Sequence, residues 1–87
     1  MDLIRAHRHL PDLVSRATDI GEGWHSAGST EIPAHVRCPW RQHDGTEVVE
    51  IVWGMVTAWT SLAMHVELWR HGEHHVWVRR EDVEPRT

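Results

Sequence analysis

Three sets of residues in this 87-residue chain could carry chemistry: a lone thiol, clustered imidazoles and a group of tryptophans. Cys38 stands between Arg37 and Pro39, and a neighbouring cation favours the thiolate that a nucleophile or metal ligand needs. No acyl-transfer pattern surrounds it, and no second cysteine exists to complete a metal site or a disulfide. His71-x-x-His74-His75 and His7-x-His9 are clusters of a zinc or nickel ligand type. On a strand, however, His74 and His75 would point to opposite faces. The chain contains no H-E-x-x-H helix, G-x-G-x-x-G or P-loop, and no lysine or tyrosine to act as a base, Schiff-base amine or phenolic acid. The expectation is a protein without catalytic residues, cofactor or metal.

The six tryptophans offer recognition rather than reaction. From Glu47 to Val83 apolar residues occupy both parities: Val48, Val52, Val56, Leu62, Met64, Val66, Leu68, Val76 and Val78 on one, Ile51, Trp53, Met55, Trp59, Trp69 and Trp77 on the other. Successive strand residues face opposite sides, so such a ribbon has two greasy faces where an ordinary half-exposed sheet has one. One builds a core. The other is either covered by the N-terminal segment or binds a partner, since large exposed apolar patches mark interfaces. The expected contact set is Trp53, Met55, His65, Glu67, Trp69, His75, Trp77 and Arg79, with Trp69 and Trp77 partly exposed.

The elements that position these residues follow from pattern and turn chemistry. Leu3, Ile4, Leu10, Leu13, Val14, Ala17 and Ile20 fit one stripe at helical spacing, so residues 1–20 are predicted to be a helical segment interrupted at Pro11. Residues 21–34, rich in Gly, Ser and Thr, read as a connector. Residues 36–40 suit a short strand, with Pro39 placing it at an edge or at a strand end. His43-Asp44-Gly45 is a turn, Glu47–Trp59 a long strand bent at Gly54, and Thr60-Ser61 a second turn. Residues 62–70 form the next strand, with Leu62, Met64, Val66 and Leu68 inward. A three-residue loop at 71–73 would set Val76 opposite Leu68 and Trp77 opposite Glu67, keeping the faces unmixed. A single turn after Arg79 would return Val83 to the core, and residues 85–87 would be a loose tail.

Composition bounds the rest. One small domain is expected, without signal peptide or membrane span, because the longest uncharged run falls short of the ~20 residues a bilayer needs. A cytoplasmic or virion location follows as the expectation. The absent Lys, Asn, Phe and Tyr all have AT-rich codons, which points to a GC-rich genome such as that of an actinobacterium or one of its phages. Net charge is −4 with neutral histidines, and protonating all nine would carry it to +5. An acidic chain at neutral pH does not favour a partner held through phosphates.

The block GMVTAWTSLAMHVELWRHGEHHVWVRREDVEP resembles the C-terminal half of bacterial SH3-like or Tudor-like small barrels, which end in a W-V-x-x-x-D-V-like segment, here Trp77-Val78-Arg79-Arg80-Glu81-Asp82-Val83. The likeness covers about residues 36–84 and implies an adaptor-type module, without the tyrosine-based peptide cage some members carry. The fold expected is α+β, an N-terminal helical segment followed by a small antiparallel SH3-like barrel of four to five strands at 35–84. The function expected is a non-enzymatic protein-interaction or assembly module, as a phage-encoded structural or host-interaction protein, with a protein partner or a homo-oligomer. The alternative is nucleic-acid binding by tryptophan stacking with Arg70, Arg79 and Arg80 on phosphates.

Overall fold

Branched and aromatic side chains suit a pleated backbone, and they fill Glu47–Trp59, which forms one thirteen-residue strand in the computed structural model. The structure describes residues 10–85. Seven strands succeed one another: β1 (Asp12–Leu13), β2 (His25–Ser26), β3 (Ile32–Arg41), β4 (Glu47–Trp59), β5 (Ala63–Leu68), β6 (His74–Arg79) and β7 (Val83–Pro85), with a 3-10 turn at Arg80–Asp82. β3 to β6 form an antiparallel meander in chain order, and β7 returns to pair with β3 through Val36↔Val83. The result is a small antiparallel sheet curled into a half-barrel.

The α+β expectation is overturned, because the described part of the segment 1–20 is not helical. Of the proposed stripe, Leu10 and Ile20 are exposed and Leu13 is buried; the neighbours sharing its burial are Pro11 and Ser15, two residues to either side. That is strand parity. Sheet edges decide the conformation. Val14 N–H donates to the Pro39 carbonyl of β3 at 3.0 Å, and Ala17 N–H donates to the Trp77 carbonyl of β6 at 2.8 Å. A helix would satisfy those amides internally and leave two sheet edges open. Residues 12–17 instead stitch β3 to β6, with an isolated bridge at Arg16↔Val78. Residues 1–9, which carry the first part of the proposed helix and His7-x-His9, lie outside the described residues.

The supposed connector is also hydrogen-bonded. β2 pairs with the end of β4 (His25↔Trp59), and Ala27 N–H donates to the Thr57 carbonyl at 2.8 Å. The Thr60 hydroxyl ties this wrap to the β4–β5 turn: it donates to the Ile20 carbonyl and accepts from Leu62 N–H and Ala63 N–H.

The core lies on the even face. Ala34, Val36, Cys38 and Trp40 of β3, Val56 of β4, Met64, Val66 and Leu68 of β5, and Val78 of β6 are buried there, joined by Leu13. Leu62, expected inside, is exposed in the turn before β5. The bend of β4 is a bulge at Thr57, between the pairs Val56↔Val66 and Ala58↔His65, rather than at Gly54. This extra residue sets Trp59 opposite Met64 and turns it from the outer face to the rim of the core. The β5–β6 connection is five residues, 69–73, so His65 faces Trp77 and Glu67 faces His75. The even-with-even parity expected from the sequence holds, and the register differs by two. His71 (φ 56°) and Gly72 (φ 101°) take the left-handed conformations that this loop needs.

Candidate outer-face interaction site

β4 sets Ile51, Trp53 and Met55 in a row on the convex face, each two residues from the last. Ile51 is 65% exposed and Trp53 48%, values that leave both in solvent within the chain as described. Trp53 meets His35 of β3 edge-on, ring centres 5.1 Å apart. Met55 stands opposite Glu67 of β5, and Glu67 opposite His75 of β6, forming one row across the sheet. One step further, His65 faces Trp77 with ring centres 5.3 Å apart. Trp69 leaves β5 immediately beyond the pair Gly54↔Leu68 and is 56% exposed.

All eight expected contact residues belong to this face or its margin, but not as one cluster. Trp53 and Trp69 lie at one end. Trp77 and His65 lie at the other, half-buried against each other, with Met55, Glu67 and His75 between. Arg79 is drawn to the opposite margin, where it donates to Asp82 Oδ2 from both Nε (3.3 Å) and Nη2 (3.2 Å) and lies 3.6 Å from Glu81. The N-terminal segment, weighed as a lid, crosses from β3 to β6 and does not cover Ile51 or Trp53 among the described residues.

The charges on this face are largely matched within the chain. His75 is 3.5 Å from Glu67 and 3.1 Å from Glu73, and Arg41 is 3.7 Å from Glu47. Burial, and then the nearby His75, hold the His65 imidazole below its ordinary value despite Glu67. Its Nδ1 lies 2.6 Å from Thr57 Oγ1, at the bulge.

A second arrangement, on the concave side, escaped the sequence reading. Trp40 is fully buried against two imidazoles, His71 edge-on at 4.9 Å and His74 tilted at 5.3 Å. Glu50, on the same side, accepts from Arg70 Nε (3.1 Å) and Nη2 (2.8 Å) and lies 3.2 Å from His71 Nε2. Hydrogen bonding from Arg70 holds the Glu50 carboxyl below the usual range. The H-x-x-H spacing therefore packs both imidazoles on a tryptophan. Its legible signal was the even parity that Trp40, Glu50 and His74 share. As expected, His74 and His75 lie on opposite faces. No group of three or more His, Cys, Asp or Glu among the described residues is arranged to hold a metal ion.

Cys38 is buried, its thiol donating to the Val36 carbonyl at 3.5 Å. Burial, with the Asp82 and Glu50 charges, pushes it up to about 12. A thiol so protonated is a poor nucleophile at neutral pH.

No protein-family model matches this chain, and neither the curated proteins nor the solved structures contain a match.

Proposed function

We propose that the protein is a non-enzymatic protein-interaction and assembly module that docks a protein partner on the convex face of β4, with Ile51, Trp53 and Trp69 as the anchors. The carrying observation is the exposure of Ile51 and Trp53 on the hydrogen-bonded strand β4 and of Trp69 just beyond the end of the neighbouring strand β5. Tryptophans in such positions dominate binding energy when a partner desolvates them. Met55 and Glu67 continue the surface toward His65, Trp77 and His75, giving an apolar centre with a polar, pH-sensitive margin. The likeness to SH3-like and Tudor-like barrels belongs to the same proposal. It rests on residues 77–83, where the short turn after Arg79 carries Val83 back to β3.

The nucleic-acid alternative loses ground on the arginines. Arg70 is engaged with Glu50, Arg79 with Asp82, and Arg80 Nη1 donates to the Thr60 carbonyl at 3.0 Å. Each would have to leave an internal partner before meeting a phosphate, and the net charge of −4 opposes the approach.

The test is quantitative affinity capture with the intact chain beside a Trp53→Ala/Trp69→Ala double variant of matched thermal stability. A defined partner retained by the parent and lost by the variant supports the reading. Identical capture by both, or binding that follows random single-stranded DNA and falls steeply with salt, overturns it.

A further inference from the structure

β4 carries an open hydrogen-bonding edge as well as an open face. At the base of the β3–β4 turn, Gln42 N–H donates to the Thr46 carbonyl at 2.6 Å. Antiparallel ladders alternate bonded with unbonded pairs, so the bonded pairs are Trp40↔Val48, Cys38↔Glu50 and Val36↔Val52. Pro33 and Pro39 fall at the unbonded positions, as residues without an N–H should. Glu47, Val49 and Ile51 therefore turn their N–H and C=O groups away from β3. β5 joins β4 only from Gly54 onward, and no backbone hydrogen bond reaches residues 47–51 from that side among the described residues. Natural edges are blunted by lysine, proline, bulges or a covering loop. Residues 47–51 have no lysine and no proline, the bulge of β4 is at Thr57, and the two charges on the segment, Glu47 and Glu50, are paired within the chain with Arg41 and with Arg70 and His71.

We infer that this edge pairs with the same edge of a second copy, antiparallel about a two-fold axis at Val49, joining two half-barrels into one continuous sheet. The open groups at 47, 49 and 51 are symmetric about Val49, so Glu47 meets the Ile51 of the second copy, and Val49 meets Val49. An identical edge thus answers every outward donor and acceptor. On the convex side, Val49 and Ile51 of both copies close over an apolar centre flanked by Pro39, while Glu47, beside Arg41, forms the rim. On the concave side this register sets Glu50 against Val48 rather than against another carboxylate, and each Glu50 keeps its own Arg70 and His71. A two-fold axis at Glu50 would instead oppose like charges. Val48 and Val49 are each 50% exposed, and pairing covers both. In the dimer Ile51 is covered by the second copy and the exposed Trp53 and Trp69 remain for face docking; the inference stands on the edge, so it can fail while the face-docking reading survives, and the reverse.

Sedimentation equilibrium up to roughly 100 μM chain reads the outcome directly. The parent is expected at twice the 10.1 kDa chain mass. Val49→Pro removes an outward N–H and leaves the β3 ladder intact, so it should sediment as a monomer with unchanged circular dichroism. Trp69→Ala, off the edge, should remain a dimer. A monomeric parent throughout the range, a dimeric Val49→Pro, or a dimer lost only in Trp69→Ala overturns the inference. If Val49→Pro does not fold, Val49→Cys decides. Bonded cross-strand pairs place Cα atoms ~5.5 Å apart, within disulfide reach. Mild oxidation should then give a covalent dimer, and Trp69→Cys should not; no cross-link at 49, or equal cross-linking at both positions, refutes it.

Discussion

Gly54 and Leu68 lie opposite each other on β4 and β5 with no room for another atom between them. A Cβ at position 54 would come within 2.5 Å of Leu68 Cδ2 and 2.7 Å of the Glu67 carbonyl oxygen. The side chain could rotate away, but the carbonyl belongs to a strand held on both sides and cannot yield cheaply. Gly54→Ala should therefore destabilise the fold by about 1–3 kcal/mol, although alanine is the better strand residue. Chemical denaturation checks this. Gly23→Ala is not an equivalent control, because its positive φ strains any side chain; Ser61→Ala, in the exposed turn, should change stability by less than ~0.5 kcal/mol.

The tryptophans divide by face, and their variants should divide likewise. Trp40 is fully buried beneath His71 and His74, so Trp40→Ala should cost about 3–5 kcal/mol of folding stability. Trp53 and Trp69 are each about half exposed, so their alanine variants should melt within a few degrees of the parent. Each should weaken partner association by about 1–3 kcal/mol. Thermal melts beside binding isotherms separate the two classes. An unstable Trp53→Ala would return that residue to a structural role.

How much of this was legible in the sequence depends on how local the deciding interactions are. β4 could be bounded to the residue because Asp44-Gly45 and Thr60-Ser61 bracket it and branched residues fill it. Its two-sided character was equally readable, since parity needs no tertiary information. The N-terminal strand was not readable. Its conformation is chosen by carbonyls of Pro39 and Trp77, more than twenty residues away, and those outweigh a weak helical stripe. The β5–β6 register failed for a related reason. Parity allowed only odd loops, but Arg70 and His71 both reach Glu50, drawing residues 69–71 out of the strand and widening the loop to five. Trp59 was misassigned because a bulge at Thr57 has no glycine to announce it. Of the contact set, the shared face was legible and its division into two ends was not.

The outer-face histidine gives stability a pH dependence with a definite sign. The His65 imidazole is held below its ordinary value when folded, chiefly by burial and then by His75, whereas in the unfolded chain it titrates near 6.5. The unfolded state therefore binds the proton more readily, so stability should fall as pH drops below about 6.5 and go on falling until the folded-state imidazole also protonates. Glu50 adds to the loss at lower pH, through and below about 4.5, as its bonds to Arg70 and His71 fail. Denaturation midpoints measured from pH 7.5 to 5 should show the first effect, and His65→Gln should flatten that slope. An unchanged slope in His65→Gln would assign the effect to another histidine.

Cys38 provides an internal probe of global opening. Its Sγ is fully buried against Val36, and its thiol is pushed up to about 12 by burial and by the charges of Asp82 and Glu50. Thiolate reagents at pH 7.5 should therefore react only through molecules that have opened. The rate should fall below that of the denatured chain by about three orders of magnitude or more, given ordinary domain stability. Gly54→Ala, acting at the β4–β5 contact, should accelerate labelling in proportion to the stability it removes, whereas Trp69→Ala should leave the rate near that of the parent. Labelling monitored by mass in native buffer, with and without denaturant, measures both. Rapid reaction of the native parent would show that solvent reaches the interior beneath β3 without global unfolding.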